Sequence, residues 1–511
     1  MKIILFTVIL MITMGEAFAQ DPTDVLRYSW NSIGGTARNQ AVGGAGVSLG
    51  GEFSSLFINP AGLGLYKTDE LVLTPYFGFQ NNKSKYKSSL TGASSNGLDI
   101  GASGFIFAFS NRPTSTIRNF TLGLGINKVA DFNSSIHYNG LNKNSSYSEK
   151  YLEELIKNNV SDPNRAASEY PFGSSLALNT YLIDTVKDAS GKIVGYKSLA
   201  PTSTGINQEY RSTSSGGITD LALGGAINVK DKLFLGGTIS VPIVNYVKHT
   251  IFTETDASTN THNNFNYAQV KEDLKTTGYG IGGKVGLIYK PVEYFRLGLA
   301  IQSPIFYGLT DTYSSGITTD LEGYGGAGVK QQTSGDLTSG APGESKYNLS
   351  TPWHFAASAS YVFREVANVK KQRAFITADV EYLKYSSSKI SSFDKNDQAT
   401  INYFDQVNGV VRQQYGGAFN FRLGGELKFN KWMYRLGGAY LSNPYKSEVA
   451  NNFKLAGGLG YRDKGIFIDL TYVYSRLKDI NYPYRLEDKA NESAMVSSTQ
   501  GNILLTVGFK F

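Results

Sequence analysis

The chain has 511 residues, a formal net charge of +7, only 18% charged residues and no cysteine. Disulfides, cysteine-ligated metals and a cysteine-linked lipid anchor are thereby excluded. Lys and Arg are spread without a dense run, which argues against nucleic acid as a partner. With 56 Gly, 33 Tyr and 29 Phe at a mean hydropathy of −0.22, two classes remain. One is a transmembrane β-barrel, greasy on one face of each strand and polar on the other; the other is a secreted β-rich protein such as a lectin or adhesin.

The first residues bear on the compartment. Lys2, the apolar run Ile3 to Met14 and the small-x-small site Ala17-Phe18-Ala19 read as a secretory signal peptide over 1–19, with the mature chain beginning at Gln20. The run is too short to span a bilayer as a helix. Residues 20–69 read neither as a strand nor as a long helix. They contain Gly43-Gly44-Ala45-Gly46 and, further on, Asn59-Pro60-Ala61-Gly62-Leu63. Small residues let backbones approach closely, while Val42, Val47, Leu49, Leu56, Phe57 and Ile58 are too apolar for a solvated linker. A compact plug is expected.

From residue 70 onward, period-two alternation marks about fourteen strands, an even number as bacterial barrels require. Their cores fall near 70–81, 100–110, 119–138, 216–229, 232–253, 264–289, 294–312, 346–363, 373–386, 416–429, 432–443, 452–462, 465–476 and 501–511. Short connections at 230–232, 290–293, 430–431 and 462–465 alternate with long ones at 82–99, 139–215, 313–345, 387–415 and 477–500. Short turns at one rim and long loops at the other are the barrel rule, and a sandwich has no reason to keep it. The fold class is therefore all-β, a transmembrane antiparallel barrel over 70–511 with an N-terminal plug over 20–69. Charges opposite the apolar faces, among them Asp379, Glu381, Arg422, Glu426 and Arg435, are expected to face the lumen and pair there.

Within the longest loop, 139–215, Ser148 is positioned to cap a helix carrying Tyr151, Leu152, Leu155 and Ile156, followed by an apolar stretch with Leu176, Leu178, Tyr181, Leu182 and Ile183. Such a loop either contacts a ligand or partner or packs on itself over the barrel mouth. In the last segment, Ile503, Leu505, Val507, Phe509 and Phe511 share one face. The terminal aromatic resembles the signal read by outer-membrane barrel assembly machinery, and Phe509 and Phe511 carry it.

The glycine run Gly43-Gly44-Ala45-Gly46 and the Asn59-Pro60-Ala61-Gly62-Leu63 motif just before the first strand resemble the outer-membrane long-chain fatty-acid and aromatic-hydrocarbon transporters of the FadL/TodX type. The motif likeness covers only about the N-terminal tenth of the chain; the rest agrees in pattern. The resemblance implies a Gram-negative outer membrane, surrounding outer-membrane lipids, and a hydrophobic small molecule as partner. It also implies capture in apolar outer loops, a lumenal pocket, a hatch that blocks the axial path, and lateral exit through a gap beside a kinked strand. No kink is evident in the sequence, although Asp131 and Asn133 break the alternation of the third segment. Lumenal bases that could hold a carboxylate are Arg422, Lys428 and Arg435, which otherwise simply pair with Glu426 and Asp379. Loop contacts would come from Leu152, Leu155, Ile156 and Leu182.

No catalytic constellation or cofactor signature stands out. His137, His249, His262 and His354 have no metal-ligand spacing. Gly323 to Gly328 matches a dinucleotide fingerprint without its strand–helix context, and a Ser–His pair meeting on neighbouring strands is not visible in sequence. Two further functional readings stay open: a barrel that holds a secreted protein in a type IX-like system, and a general diffusion porin.

Overall fold

The computed structural model describes residues 22–29, 34–112, 114–326, 328–363, 373–446 and 452–511; the 1–19 signal segment lies outside them. Fourteen antiparallel staves close into a barrel. They are β1 (Glu70–Leu73 and Pro75–Tyr86), β2 (Ser89–Ile100 and Ser103–Ser110), β3 (Ile117–Asp131 and Ser134–Asn142), β4 (Ile206–Val229), β5 (Leu233–Asp256), β6 (Tyr267–Val292) and β7 (Phe295–Gln302 and Phe306–Asp320). The ring continues with β8 (Gly343–Ser350 and His354–Phe363), β9 (Ala374–Lys384 and Lys389–Ser392), β10 (Gly417–Phe429), β11 (Trp432–Leu441), β12 (Asn452–Asp463), β13 (Ile466–Asn481) and β14 (Ala494–Lys510). Closure is made by β1 on β14, from Glu70 opposite Lys510 to Lys85 opposite Met495.

The alternation seen in the sequence has a direct physical outcome. On β13, Ile466, Ile468, Leu470 and Tyr472 face outward and are exposed, while Phe467, Asp469, Thr471 and Val473 point inward and are buried. The same holds on β10 for Phe419, Phe421, Leu423, Leu427 and Phe429, and on β14 for Ile503, Leu505 and Phe509. A continuous exposed apolar belt around a closed sheet is stable only against lipid. Phe511 is exposed at the seam of closure, where its backbone exchanges hydrogen bonds with Asp69, both 3.2 Å.

One long connection is corrected. Residues 82–99 are no loop: β1 continues to Tyr86, turns at Lys87, which has φ 53°, and returns as β2 from Ser89. Once strands rise above the lipid both faces are wet, so the alternation of polarity stops although the strand does not. The other long loops are likewise trimmed by strand growth. The 139–215 loop folds into helices α1 (Ser148–Lys157), α2 (Pro163–Ala166) and α3 (Ser174–Asn179) and a small hairpin, Ile183–Lys187 with Ile193–Ser198. Ser148 does not cap α1; it is the first helical residue, and its hydroxyl meets those of Ser146 and Ser198.

Before the barrel come three helices, Pro22–Ser29, Ala37–Ala41 and Ser55–Ile58, and a 3₁₀ turn, Pro60–Leu65. All lie inside the barrel. Residues 34–65 fill the half nearest the short turns. The Pro22–Ser29 helix stands above them, with Val25, Leu26 and Tyr28 packed in one cluster with Phe404, Val407 and Val411 of the loop helix Gln398–Gln414.

Candidate functional site

The hatch is fixed to the wall by its two sequence motifs. Asn59 Nδ2 donates to Val47 O (2.6 Å) within the hatch and to Leu287 O and Leu299 O (both 3.3 Å) on β6 and β7, while its Oδ1 caps the 3₁₀ turn through Ala61 N. The glycine run makes a tight turn, with Gly43 and Gly44 at φ 70° and 76°. The next amides, Gly46 N and Val47 N, donate to Asp379 Oδ2 of β9 at 2.9 and 3.1 Å. Wall glycines make room for this contact. A Cβ at Gly437 would stand 2.1 Å from the Val42 carbonyl carbon, and one at Gly424 2.2 Å from Val42 O.

Charges complete the anchor. Arg435, whose side chain is 0% exposed, binds Glu426 and Asp469, both at 2.6 Å, and Arg38 of the hatch reaches Glu426 at 3.3 Å. Thr36 donates to Glu52, whose carboxyl is pushed up by burial more than Thr36 and Arg38 pull it down.

The bases expected from sequence therefore separate. Arg435 is an anchor beneath the hatch. Arg422 binds Glu381 at 2.6 Å and lines a cavity of about 860 Å³, mouth included, between the hatch, β3 and β6–β10, together with Phe57, Val129, Lys284 and Leu383. Lys428 lies two positions beyond Glu426 toward the short turn. Of the loop residues, Leu155 and Leu182 are fully buried in the loop core with Tyr147, Tyr151 and Leu176, Leu152 packs at its edge, and Ile156 is 70% exposed. The loop's apolar residues thus pack mainly on each other.

A second cavity, about 1170 Å³ including its mouth, lies above the hatch on the side of β1–β3 and β12–β14. Gly34, Gly35 and Gln40 floor it; Tyr76, Val473, Leu477 and Leu504 give it apolar walls. Lys454 also lines it. This lysine is only 9% exposed and has no acidic partner among the described residues. Sequence reasoning passed over it, although with Arg462 it is one of two cations at the inward positions of the strand core 452–462.

The mouth of this chamber is a parting in the wall. The β2–β3 ladder runs from Ser110 opposite Asn119 to Ser103 opposite Ile126 and stops. Beyond it β3 breaks at Phe132. Asp131 Oδ1 accepts from Asn133 N (3.0 Å), an Asx turn, and Phe132 N donates sideways to Gly216 O (3.1 Å), where Gly216 has φ 102°. Ser134–Asn142 then leans inward, so that Asn82 Nδ2 of β1 reaches Ser135 O at 2.7 Å. Between Ser89–Ile100 and Ser134–Asn142 no backbone ladder forms among the described residues. Side chains bridge instead: Ser95 Oγ to Asn133 O (3.3 Å), Thr91 Oγ1 to His137 O (2.5 Å), and the Lys128–Asp99 ion pair. Ser95, Asn96 and Gly97 on one lip and Lys128, Asp131 and Asn133 on the other all line the chamber. The kink that the sequence hinted at through Asp131 and Asn133 is thus located.

A closed, lipid-belted, fourteen-stranded barrel with an internal N-terminal hatch is an outer-membrane β-barrel. Its fold is the one implied by the FadL/TodX-type motifs. A Pseudomonas aeruginosa FadL homologue superposes with a TM-score of 0.52 at 11% identity, over 94% of this chain and 99% of that one. The Ralstonia pickettii toluene transporter TbuX (TM-score 0.47, 15% identity, 94% and 100% covered) and the Pseudomonas putida toluene transporter TodX (0.49, 13%, 94% and 99%) are also similar. No family model matches the chain, and no curated protein matches it.

Proposed function

We propose that the chain carries small hydrophobic amphiphiles, long-chain fatty acids or similar molecules, across the outer membrane by lateral release. The observation that carries this reading is the continuity of the β12–β14 side chamber with the unladdered β2–β3 seam. A greasy molecule gains nothing from a water-filled axial pore, whereas a side exit delivers it to lipid. The hatch blocks the axial route, which also weighs against a general porin. Lys454 would hold a carboxylate while Tyr76, Val473, Leu477 and Leu504 cover the chain. Capture is assigned to the outer loops and the cavity at Arg422.

The test is mass spectrometry of small molecules retained by the barrel in short-chain detergent, before and after incubation with a C16 fatty acid and the matching alcohol. Retention of the acid supports the reading. An empty barrel that conducts ions freely contradicts it.

A further inference from the structure

The outward face of the barrel carries an unneutralised basic patch where β1, β13 and β14 leave the lipid. On β1 the outward positions run Phe77, Phe79, Asn81, Lys83, Lys85; on β13 they run Leu470, Tyr472, Tyr474, Arg476, Lys478. The register sets these side by side across β14: Asn81–Thr499–Arg476 form one row and Lys83–Ser497–Lys478 the next, with Lys85 opposite Met495 above. On the far side Lys83 faces Gly92 of β2. Strand spacing puts Lys83 and Lys478 about 10 Å apart, and successive rows about 7 Å apart.

Three features set these four residues apart from ordinary surface charge. All four are exposed, and none has an acidic partner among the described residues. Some bases elsewhere on the surface are paired: exposed Arg211 with Glu209 (2.7 Å) and Lys346 with Glu344 (2.8 Å), and half-buried Lys87, at the neighbouring turn, with Glu492 (2.6 Å). Ser497 leaves the row between the cations shallow, and Gly92 does the same beyond Lys83, where a Cβ would meet nothing nearer than 3.7 Å. Directly beneath lies an aromatic floor, where Phe79 crosses Gly501 and stacks on Tyr472 with ring centroids 6.4 Å apart.

We infer that this patch binds a phosphorylated glycolipid of the outer leaflet, its phosphates on Lys83, Lys85, Arg476 and Lys478 and its acyl chains on the aromatic floor. Charge complementarity selects the anionic head group. The abrupt aromatic-to-basic step along two strands selects an amphiphile seated at the interface over a free anion. The patch lies toward the long-loop end of both strands, the outer side of the barrel. The inference needs only the barrel and its orientation, and it stands or falls separately from the transport reading.

The test measures binding of diphosphoryl lipid A, its dephosphorylated form and phosphatidylglycerol to the full-length barrel in detergent, by native mass spectrometry and titration. K83Q/K85Q/R476Q/K478Q is compared with the exposed-hairpin control K187Q/K192Q/K197Q. The expected result is retention of diphosphoryl lipid A by wild type and control, with about tenfold or greater weakening in the quadruple variant and with the dephosphorylated lipid. Unchanged binding by the quadruple variant, or phosphatidylglycerol binding as tightly as lipid A to wild type, overturns the proposal. The substitutions are on the surface and leave the fold intact, which a heat-modifiability gel verifies.

Discussion

Gly286 lies directly beneath the side chain of Asn59: a Cβ at Gly286 would fall 1.7 Å from Asn59 Oδ1. That contact joins the sequence motif of the hatch to a glycine more than two hundred positions away, and among the described residues it is the tightest meeting of hatch and wall at a glycine. Gly286→Ala is therefore expected to force the hatch off β6, costing about 1–3 kcal/mol. Gly283→Ala, whose nearest neighbour would be 3.6 Å away, is the control and should be neutral. Amide exchange of peptides covering 34–65 reads the difference: faster in Gly286→Ala, unchanged in Gly283→Ala.

Asp379 holds the glycine turn through two amides and accepts from Ser358 Oγ at 2.5 Å. Asp379→Ala leaves the two hatch amides unmatched, at about 1–3 kcal/mol each. Asp379→Asn keeps an acceptor and should lose much less. Protease susceptibility of the hatch in folded barrels should rank the three proteins wild type, Asn, Ala.

Glu52 gives the hatch a pH dependence. Burial raises its carboxyl above the ordinary value of 4.5, so the folded state binds the extra proton, and stability falls as pH rises from about 4.5 through the folded value. Glu52→Gln removes that proton uptake. The variant should match wild type in thermal midpoint near pH 4 and exceed it at pH 8; equal midpoints at both pH values would refute the assignment.

How far the sequence reached is clearest strand by strand. Outward residues in lipid, such as Ile466, Ile468 and Leu470, must be apolar while inward Asp469 need not be, so the fourteen strands and the faces of their residues were legible. Above the lipid that constraint vanishes, so the β1–β2 hairpin at Lys87 reads in the sequence as a loop. The hatch motifs were visible, but their partners were not. Gly286, Gly424 and Gly437 differ in no local way from glycines that merely ease the sheet, because what selects them is a backbone met across the lumen. Arg435 reads in sequence either as a ligand base or as a partner of Glu426; the pairing with Glu426 is the one formed, and its second carboxylate, Asp469, is far away in sequence on β13. The kink at Phe132 left only the faint trace of Asp131 and Asn133, since it depends equally on Gly216 of the next strand.

Lys454 separates carboxylate recognition from simple greasiness. Lys454→Gln is expected to weaken binding of a C16 fatty acid about tenfold or more while leaving the matching alcohol within about twofold. Equal losses for both ligands would make the lysine a packing residue.

The central claim is that ligand leaves through the seam between β2 and β3. Gly97 and Asn133 face each other there: a Cβ at Gly97 would lie 3.2 Å from Asn133 Nδ2 and 3.9 Å from its Cγ. The chain has no cysteine, so Gly97→Cys/Asn133→Cys supplies the only thiol pair, one thiol on each lip of the seam. The decisive measurement is uptake of a labelled long-chain fatty acid by proteoliposomes carrying this variant, oxidised and then reduced. The expected result is ligand binding in both states, with uptake lost on oxidation and restored by reduction. Full uptake through the cross-linked barrel would contradict lateral release.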